Sequence, residues 1–426
     1  MDDRMYLCID LKSFFASVEC AERGLDTMTA RLVVADPARG SGAICLAVSP
    51  ALKALGVRNR CRIFEIPAEI DYITALPRMK LYMEYAARIY SVYLRYISPE
   101  DIHVYSVDEC FLDITSYRKL YGLDERELAK LLTDAVFRET GGICATTGIG
   151  TNLFLAKVAL DITAKHAPDR IGFLDEAEFR RTVSCHRPLT DIWNIGHGIA
   201  RRLERMGIYD LHGVAECDEA VLYREFGVNA EYLIDHAHGR EPCTIADIHA
   251  YEAKSASISN GQILFEDYRF EDALTVLKEM IDPLVLEMVE RHQVTDSVSL
   301  QVGYSRDVHG SAGGTCRLDG FTDSAKKIRR AFVAYFRQIV NPNYPIRRLG
   351  VGLNNLQDAE YARLDLFTDL TAEKREHDLQ RTVIDLRRRF GKNAVLHGLS
   401  LGEKATARRR NRLIGGHNSG EEQPKH

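Results

Sequence analysis

The sequence predicts a multidomain α+β protein, and three observations carry that expectation. The chain has 426 residues, more than one hydrophobic core serves, so three or four modules are expected. Short apolar runs of strand length alternate with amphipathic helical stretches over residues 1–170, and again from Tyr251 to Leu356. Between these regions, Phe179 to Gly239 reads as short helices joined by short loops.

In chain order, "MYLCID" begins as an apolar strand from Met5 to Ile9 that ends at Asp10, and a helix is expected from Ser13. "RLVVAD" and "GAICLAVS" read as two further strands, and "PALKALGV" as a helix that Gly56 stops. "MKLYMEYAARIYSVYLRYI" has Tyr82, Tyr85, Ile89, Val92 and Tyr96 near helical spacing. "IHVYSV", "CFLDIT" and "ICATTGIG" read as strands, and "ERELAKLLTDAVFRETG" as a helix ended by Gly141 and Gly142. The second region repeats the mixture as strand–helix–strand–strand–helix–strand. Its strands include "KSASISN", "VSLQVGY" and "RRLGVGLNNL", and Pro283 is expected to kink or divide its first helix. "GREPCTIAD", Gly239 to Asp247, is the expected interdomain linker. "RTVIDLRRRFGKNAVLHGLSL" reads as a helix and a short strand. The final "IGGHNSGEEQPKH" has no periodicity and is expected to be flexible.

Composition narrows the function classes. Hydrophobic content of 46% and charged content of 27% are those of a globular protein. No long apolar run or secretory leader is seen, so a cytoplasmic protein without membrane association is expected. Ten scattered cysteines form no CxxC pair, which argues against a zinc site and for reduced thiols. The net charge of −5 does not mark a nucleic-acid binder, but its distribution is uneven. Arg317, Lys326, Lys327, Arg329, Arg330, Arg337, Arg347 and Arg348 face only Asp319 and Asp323 between residues 317 and 348. Two more basic clusters follow, around Arg387–Arg389 and Arg408–Arg410. Such clusters are either solvated helix faces or a basic binding face.

"YSVDECFLDIT", Tyr105 to Thr115, sets Asp108 and Glu109 side by side among residues that read as a buried strand. If that strand neighbours the first, Asp10 joins them. Three converging carboxylates repel and raise one another's pKa, unless hard cations such as Mg²⁺ compensate them. Two such ions can serve an in-line displacement at phosphorus. An adjacent Asp-Glu pair can equally be an exposed turn.

"IDLKSFFASVE" and "YSVDECFLDIT" together resemble the two signature segments of the Y-family, or translesion, DNA polymerases. "GIGTNLFLAKVALDITAKH", "LTDIWNIGHGIARRLERMGIYDLHGVA" and "KSASISNGQILFEDY" follow in the family's order, and the likeness covers residues 1 to about 356. "SPALKALGV" and "ATARRRNRLIGGH" are similar to the UmuC-like bacterial branch. The resemblance implies a right-hand architecture. Residues 1–20 and 75–170 would form the palm, 21–74 small fingers, and 171–240 a helical thumb. Residues 241–251 would be a linker, 252–356 an α+β little finger, and 357–426 a clamp-binding and basic tail. It implies template-directed, low-fidelity synthesis on primer-template DNA from dNTPs.

By the same resemblance, Asp10, Asp108 and Glu109, with the backbone carbonyl of Leu11, would hold two Mg²⁺ ions, Mn²⁺ being the alternative. Phe15 would be the steric gate that excludes a 2′-hydroxyl, beside Phe14. The backbone at Ser13 to Phe15, together with Lys53 and Lys165, would meet the triphosphate. The family often has Tyr where this chain has Pro50, so one hydrogen bond to the triphosphate is expected to be missing or supplied by Ser49. Lys12 stands where many relatives have an acid or Asn.

"NIGHGIARRLERMGI" reads from its own residues as a helix-hairpin-helix, with Gly196 and Gly198 admitting a phosphate and Arg201 beside them. Arg317, Lys326, Lys327, Arg329, Arg330, Arg347 and Arg348 become DNA-backbone candidates of the little finger. "RLDLF" resembles the sliding-clamp peptide Q-L-x-L-F. Leu364, Asp365, Leu366 and Phe367 are the clamp candidates, with Arg363 in place of Gln. A recombinase filament or an accessory subunit is a further partner class that the resemblance raises. The rival reading is a polymerase-like scaffold that binds DNA and the clamp without catalysis. Retention of all three acids argues against it.

Overall fold

The computed structural model describes residues 4–253, 256–361 and 369–420. The chain forms two compact units, Met1–Tyr251 with Asn418–His426, and Glu252–His417. Among the described residues no helix is long and apolar enough to cross a membrane.

The first unit begins with β1 (Tyr6–Leu11), α1 (Phe14–Glu22), β2 (Leu32–Val34), β3 (Ala47–Val48), α2 (Pro50–Ala54), β4 (Ile73–Ala75) and α3 (Met79–Tyr93). It continues through β5 (Ile102–Val104), β6 (Glu109–Asp113), α4 (Thr115–Tyr121), α5 (Glu125–Glu139), β7 (Ala145–Gly150), α6 (Leu153–Val158) and β8 (Ile171–Leu174). Five short helices follow: α7 (Glu176–Thr182), α8 (His197–Arg205), α9 (Leu211–Ala215), α10 (Glu219–Phe226) and α11 (Ala230–Ala237). A sixth, α12 (Ile245–Ala250), closes the unit.

The main sheet has the order β5-β6-β1-β7-β8. β1 lies at its centre, antiparallel to β6 and β7, and Asp10 is directly opposite Glu109. Alternation puts Tyr6, Cys8, Asp10, Glu109, Phe111, Gly148 and Gly150 on one face. α6 covers that face through Leu153 and Ala156. The two glycines are what allow it so close. A Cβ at Gly148 would stand 2.0 Å from the Ala156 carbonyl oxygen, and one at Gly150 2.2 Å from the Ala156 nitrogen. The family-like "GIG" is therefore a packing requirement that brings α6, and Lys157 on it, against the acids. Helix α6 runs on into a π-turn at Ala159–Thr163.

β3, β2 and β4 form a small sheet over a core of Val33, Cys45, Val48 and Leu52. The helices from α7 to α11 bury Phe179, Leu203, Leu211, Leu222 and Leu233 against Phe154 and Leu155 of α6.

In the second unit, β9 (Ala256–Tyr268), α13 (Phe270–Glu290), β10 (Gln293–Tyr304), β11 (Ser311–Thr322), α14 (Ala325–Ile339) and β12 (Ile346–Asp358) build an antiparallel sheet ordered β11-β10-β12-β9. Val298, Leu300, Val302, Leu349, Val351 and Leu353 turn inward against α13 and α14. The alternate residues Ser297, Ser299, Gln301, Asn354, Arg317 and Arg348 lie on the opposite face. Two helices complete the unit, α15 (Leu370–Phe390) and α16 (Ala407–Arg410).

Several expectations need correction. α3 ends at Tyr93, which is buried in the role expected of Tyr96. Residues 171–174, placed in the thumb by sequence, are β8 of the main sheet, paired parallel to β7. The expected linker is partly ordered. Thr244 and Asp247 make a capping box for α12, and Ile245 is buried against Tyr6 and Phe111. The stretch "VLHGLSL" forms a 3₁₀ turn at Gly398–Leu401, not a strand. The described part of the end expected to be flexible, residues 414–420, makes specific contacts. The Ser419 carbonyl accepts from Lys80 N–H, and a Cβ at Gly420 would meet Arg78 at 2.8 Å.

Pro283 does not divide α13. Proline removes the N–H that would bond the carbonyl four residues back, here Glu279. Arg410 supplies the missing donor, with Nη2 2.8 Å from the Glu279 carbonyl oxygen. The buried Glu279 carboxylate in turn accepts from the Thr406 and Ala407 backbone N–H groups at 2.7 and 3.1 Å. Burial lowers the Arg410 pKa, while Glu279 and Asp282 oppose that shift. The basic segment around Arg410 is thus part of the second unit's body. Glu279→Ala is expected to destabilise this unit by about 2 kcal/mol, because it strips a cap and leaves a part-buried guanidinium without its facing charge. A lowered denaturant midpoint for the second unit's transition checks this.

Candidate active site

The site grows from the end of β1. Asp10 sits half-buried on that strand, opposite Glu109 of β6. Asp108 is on the turn just before β6, and its carbonyl accepts from Leu11 N–H at 2.9 Å. The same turn is closed by Tyr105 and Ser106 N–H groups, both donating to the Glu109 carbonyl at 3.0 Å. Ser106 Oγ donates to Asp108 Oδ1 at 2.7 Å. The three acids expected from sequence are therefore brought together, with Leu11 beside them.

Their electrostatics are those of an under-compensated cluster. Burial, then Asp108, then Glu109 push the Asp10 carboxyl up to about 7, against Lys157 and Lys165. Glu109 is buried and has its own cation, with Lys157 Nζ 2.7 Å from Oε1. Cys8 Sγ donates to the same oxygen at 3.1 Å. Lys157 also pairs with Asp161 at 3.2 Å, and Lys165 with the other oxygen of Asp161 at 3.2 Å. Burial disfavours the Lys157 ammonium, yet Cys8, Glu109 and Asp161 hold its pKa above the ordinary lysine value.

Sequence reasoning missed Lys157. The signal was the spacing Lys157-Asp161-Lys165 on one helical face of "AKVALDITAK", one residue downstream of the alanine that packs on the glycines.

The raised Asp10 pKa predicts a pH dependence. Between about pH 4 and 7 the folded protein holds a proton on Asp10 that the unfolded chain has released. The native state then binds more protons, so stability falls as pH rises through this range. In cation-free buffer the unfolding midpoint of the wild type should drop from pH 4 to 7 relative to that of Asp10→Asn. Parallel profiles for the two proteins would refute this.

The nucleotide candidates separate. Ser13 takes a left-handed backbone, φ 51°, at the start of α1, and its Oγ is buried with no hydrogen-bond partner among the described residues. Lys53 on α2 is exposed by surface area, yet crowded enough that desolvation, with Lys12 and Lys165, lowers its pKa, while Asp10 opposes. Lys53 is thus near enough to feel the Asp10 charge, while Lys165 Nζ is held by Asp161 at 3.2 Å. Phe15 is half-exposed and stacks on Tyr82, with ring centroids 4.7 Å apart and planes 23° apart.

Tyr82 donates to Glu19 Oε1 at 2.7 Å, and Arg78 grips Glu19 with two bonds of 2.8 and 2.9 Å. Burial works against the Glu19 carboxylate, but Arg78, Arg23 and Tyr82 hold its pKa below the usual range. Phe14 is 2% exposed, a core side chain whose expected contact with the triphosphate is through its backbone N–H at the start of α1. One expectation fails here. Ser49 is fully buried, with its Oγ accepting from Leu32 N–H at 3.1 Å, so it cannot stand in for a tyrosine hydroxyl at position 50.

Among the nucleic-acid candidates, Gly196 caps α8 and Gly198 lies in its first turn. A Cβ at either would meet nothing within 4 Å, so the fold itself does not demand glycine there. The first helix of the expected hairpin is only a 3₁₀ turn, Leu189–Asp191. Arg201 is exposed, with Nε on the His197 carbonyl at 3.2 Å. Arg317 and Arg348 are exposed on the sheet face that α13 and α14 leave uncovered. Lys326, Lys327, Arg329 and Arg330 are on α14, behind the sheet. There Lys327 pairs with Glu373, and Arg329 with Asp282. Arg347 lies 3.5 Å from Asp267. The clamp candidates Leu364, Asp365, Leu366 and Phe367 lie outside the described residues.

Comparison with known proteins adds a second line. Residues 9–161 match the impB/mucB/samB family, and residues 255–366 match that family's C-terminal domain. A candidate UV-damage repair protein, UvrX, of Bacillus subtilis (strain 168) is 33% identical over 97% of both chains. DNA polymerase IV 2 of Halalkalibacterium halodurans is 29% identical over 97% of this chain and 99% of its own. A solved Y-family DNA polymerase chimera, Dbh-Dpo4(243-245)-Dbh, superposes with a TM-score of 0.64. It is 21% identical and covers 83% of this chain and 99% of its own, a likeness of fold.

Proposed function

As a member of the impB/mucB/samB family, the Y-family, UmuC-like polymerases, the chain is a DNA-directed DNA polymerase, and we propose that it extends primers across damaged template with Asp10, Asp108 and Glu109 as cation ligands. The observation that carries the proposal is the register Asp10↔Glu109, with Asp108 held to the same strand end. The donor set fits the role. All three side chains offer carboxylate oxygen, the donor that Mg²⁺ and Mn²⁺ take, and the raised Asp10 pKa marks positive charge in deficit. Among the described residues no three such side chains yet surround one point, so Asp108 and Glu109 must turn from Ser106 and Lys157 to engage a cation.

Two such cations supply activation of the primer 3′-hydroxyl and charge neutralisation at the triphosphate. The chain's own side chains do the remainder. Lys53 and Lys165 draw the triphosphate to the acid cluster, and the first N–H groups of α1 face it. Lys157 holds the Glu109 carboxylate in place until a cation takes it over. Phe15, backed by Tyr82, closes the space beside the sugar. Fingers whose strands are two or three residues long leave the nascent pair loosely enclosed, which supports low fidelity and lesion tolerance.

Arg317 and Arg348, among serines and Gln301 on the open sheet face, suit backbone contacts that read no sequence. Replacing both by Ala should weaken primer–template binding and reduce the slope of log K against log salt by about 2. Binding titrations at several salt concentrations check this, and an unchanged slope would move the DNA contact elsewhere. The polymerase reading itself is tested by primer extension with four dNTPs. The nucleotide added should follow the template base, and EDTA should stop it.

A further inference from the structure

We infer that Trp193 and Tyr105 are positioning residues that couple DNA engagement at the α8 turn to the placement of Asp108; this rests on the acid site proposed above and on the phosphate contact that the sequence places at Gly196 and Gly198. Trp193 Nε1 donates to the Tyr105 hydroxyl at 3.0 Å. The two rings also meet edge to face, with centroids 6.0 Å apart and planes at 76°. Both pack on Phe111, at 5.7 Å from Tyr105 and 6.0 Å from Trp193.

Each end of this contact is short of a functional group by three residues. Tyr105 opens the turn that carries Asp108, and its N–H helps to close that turn on the Glu109 carbonyl. Trp193 precedes Gly196, the cap of α8, across Asn194 with its backbone at φ 66°. A phosphate drawn to the α8 amides therefore pulls on a segment whose indole is tied to the metal-ligand turn. Among the described residues the Asp108 side chain is held by the Ser106 hydroxyl alone, so the turn's backbone must set its position. The Tyr105 ring also carries the Lys157 ammonium 5.9 Å from its centroid, which places the cation of Glu109 against the same ring. No other indole complicates a readout, because Trp193 is the only tryptophan in the chain.

The test uses the 426-residue chain and its Tyr105→Phe, Trp193→Phe and double variants, each of which keeps an aromatic ring in place. Single-turnover primer extension should fall about fivefold in each single variant and no further in the double, the signature of one shared hydrogen bond. Affinities for primer–template DNA and dNTP should stay within about twofold. Effects that multiply in the double variant, or single variants that match the wild type, would overturn the coupling.

A second readout does not depend on catalysis. Titrating primer–template DNA without divalent cation should shift Trp193 emission in the wild type and in Asp108→Ala, and the shift should be lost in Tyr105→Phe. An equal shift in Tyr105→Phe would overturn the proposal. A wild type that extends no primer would instead refute the polymerase assignment, and the emission titration would still decide the coupling.

Discussion

Asp10→Asn will lose primer extension by about 1,000-fold or more while becoming the more stable protein. Both halves follow from one geometry. The carboxylate is set against Asp108 and Glu109 in a half-buried position where its ionised form is disfavoured, as the shift to about 7 reports. An amide of the same shape removes that repulsion, so the variant should gain about 1–2 kcal/mol at pH 8 in cation-free buffer. It also removes a charged oxygen donor from the cation site. Extension assays and thermal melts on the same preparation read both effects. A variant that is inactive and less stable would mean that Asp10 is chiefly a structural residue.

Phe15→Ala should admit ribonucleotides, with discrimination against them falling roughly 100-fold while dNTP incorporation persists. A steric filter works only if the ring cannot retreat. Phe15 is stacked on Tyr82, and the Tyr82 hydroxyl is locked onto a buried Glu19 held by Arg78 and Arg23. Phe14 fills the core beneath, at 5.6 Å from the Phe15 ring. Alanine opens a space that the neighbours cannot fill without breaking the Glu19 bonds. The check is the ratio of kcat/KM for a dNTP and its ribonucleotide, in the wild type and the variant. An unchanged ratio would place the sugar elsewhere.

What was legible in the sequence was what local pattern determines. Asp10 ends an apolar run, and Asp108-Glu109 interrupts another. Strand pairing then brought them together, as the motif resemblance implied. The α+β order of the second unit followed from its alternating periods. Less legible was anything that depends on a distant partner. Pro283 looked like a break because its replacement donor, Arg410, lies more than 120 residues downstream. Residues 414–420 looked flexible because nothing local reveals that Lys80 N–H donates to the Ser419 carbonyl. Ser49 looked available because a serine's burial depends on β2, and Phe14 and Phe15 looked alike until the helix turned one inward. The basic run 317–348 read as one face, yet strand and helix geometry places Arg317 and Arg348 on the open side of the sheet and the four α14 residues behind it. Lys157 was masked by the ordinary look of a helical lysine. Only the Gly148 and Gly150 contacts explain why it sits beneath Glu109.

The central claim is that Asp108 and Glu109, with Asp10, carry template-directed synthesis. It is tested most directly by primer extension with Mg²⁺ and four dNTPs, comparing the wild type with the Asp108→Ala, Glu109→Ala double variant at matched occupancy of primer–template DNA. The wild type should extend the primer and the variant should not, at equal DNA binding. Extension that survives the double substitution, or a wild type that binds DNA and adds no nucleotide, would contradict it.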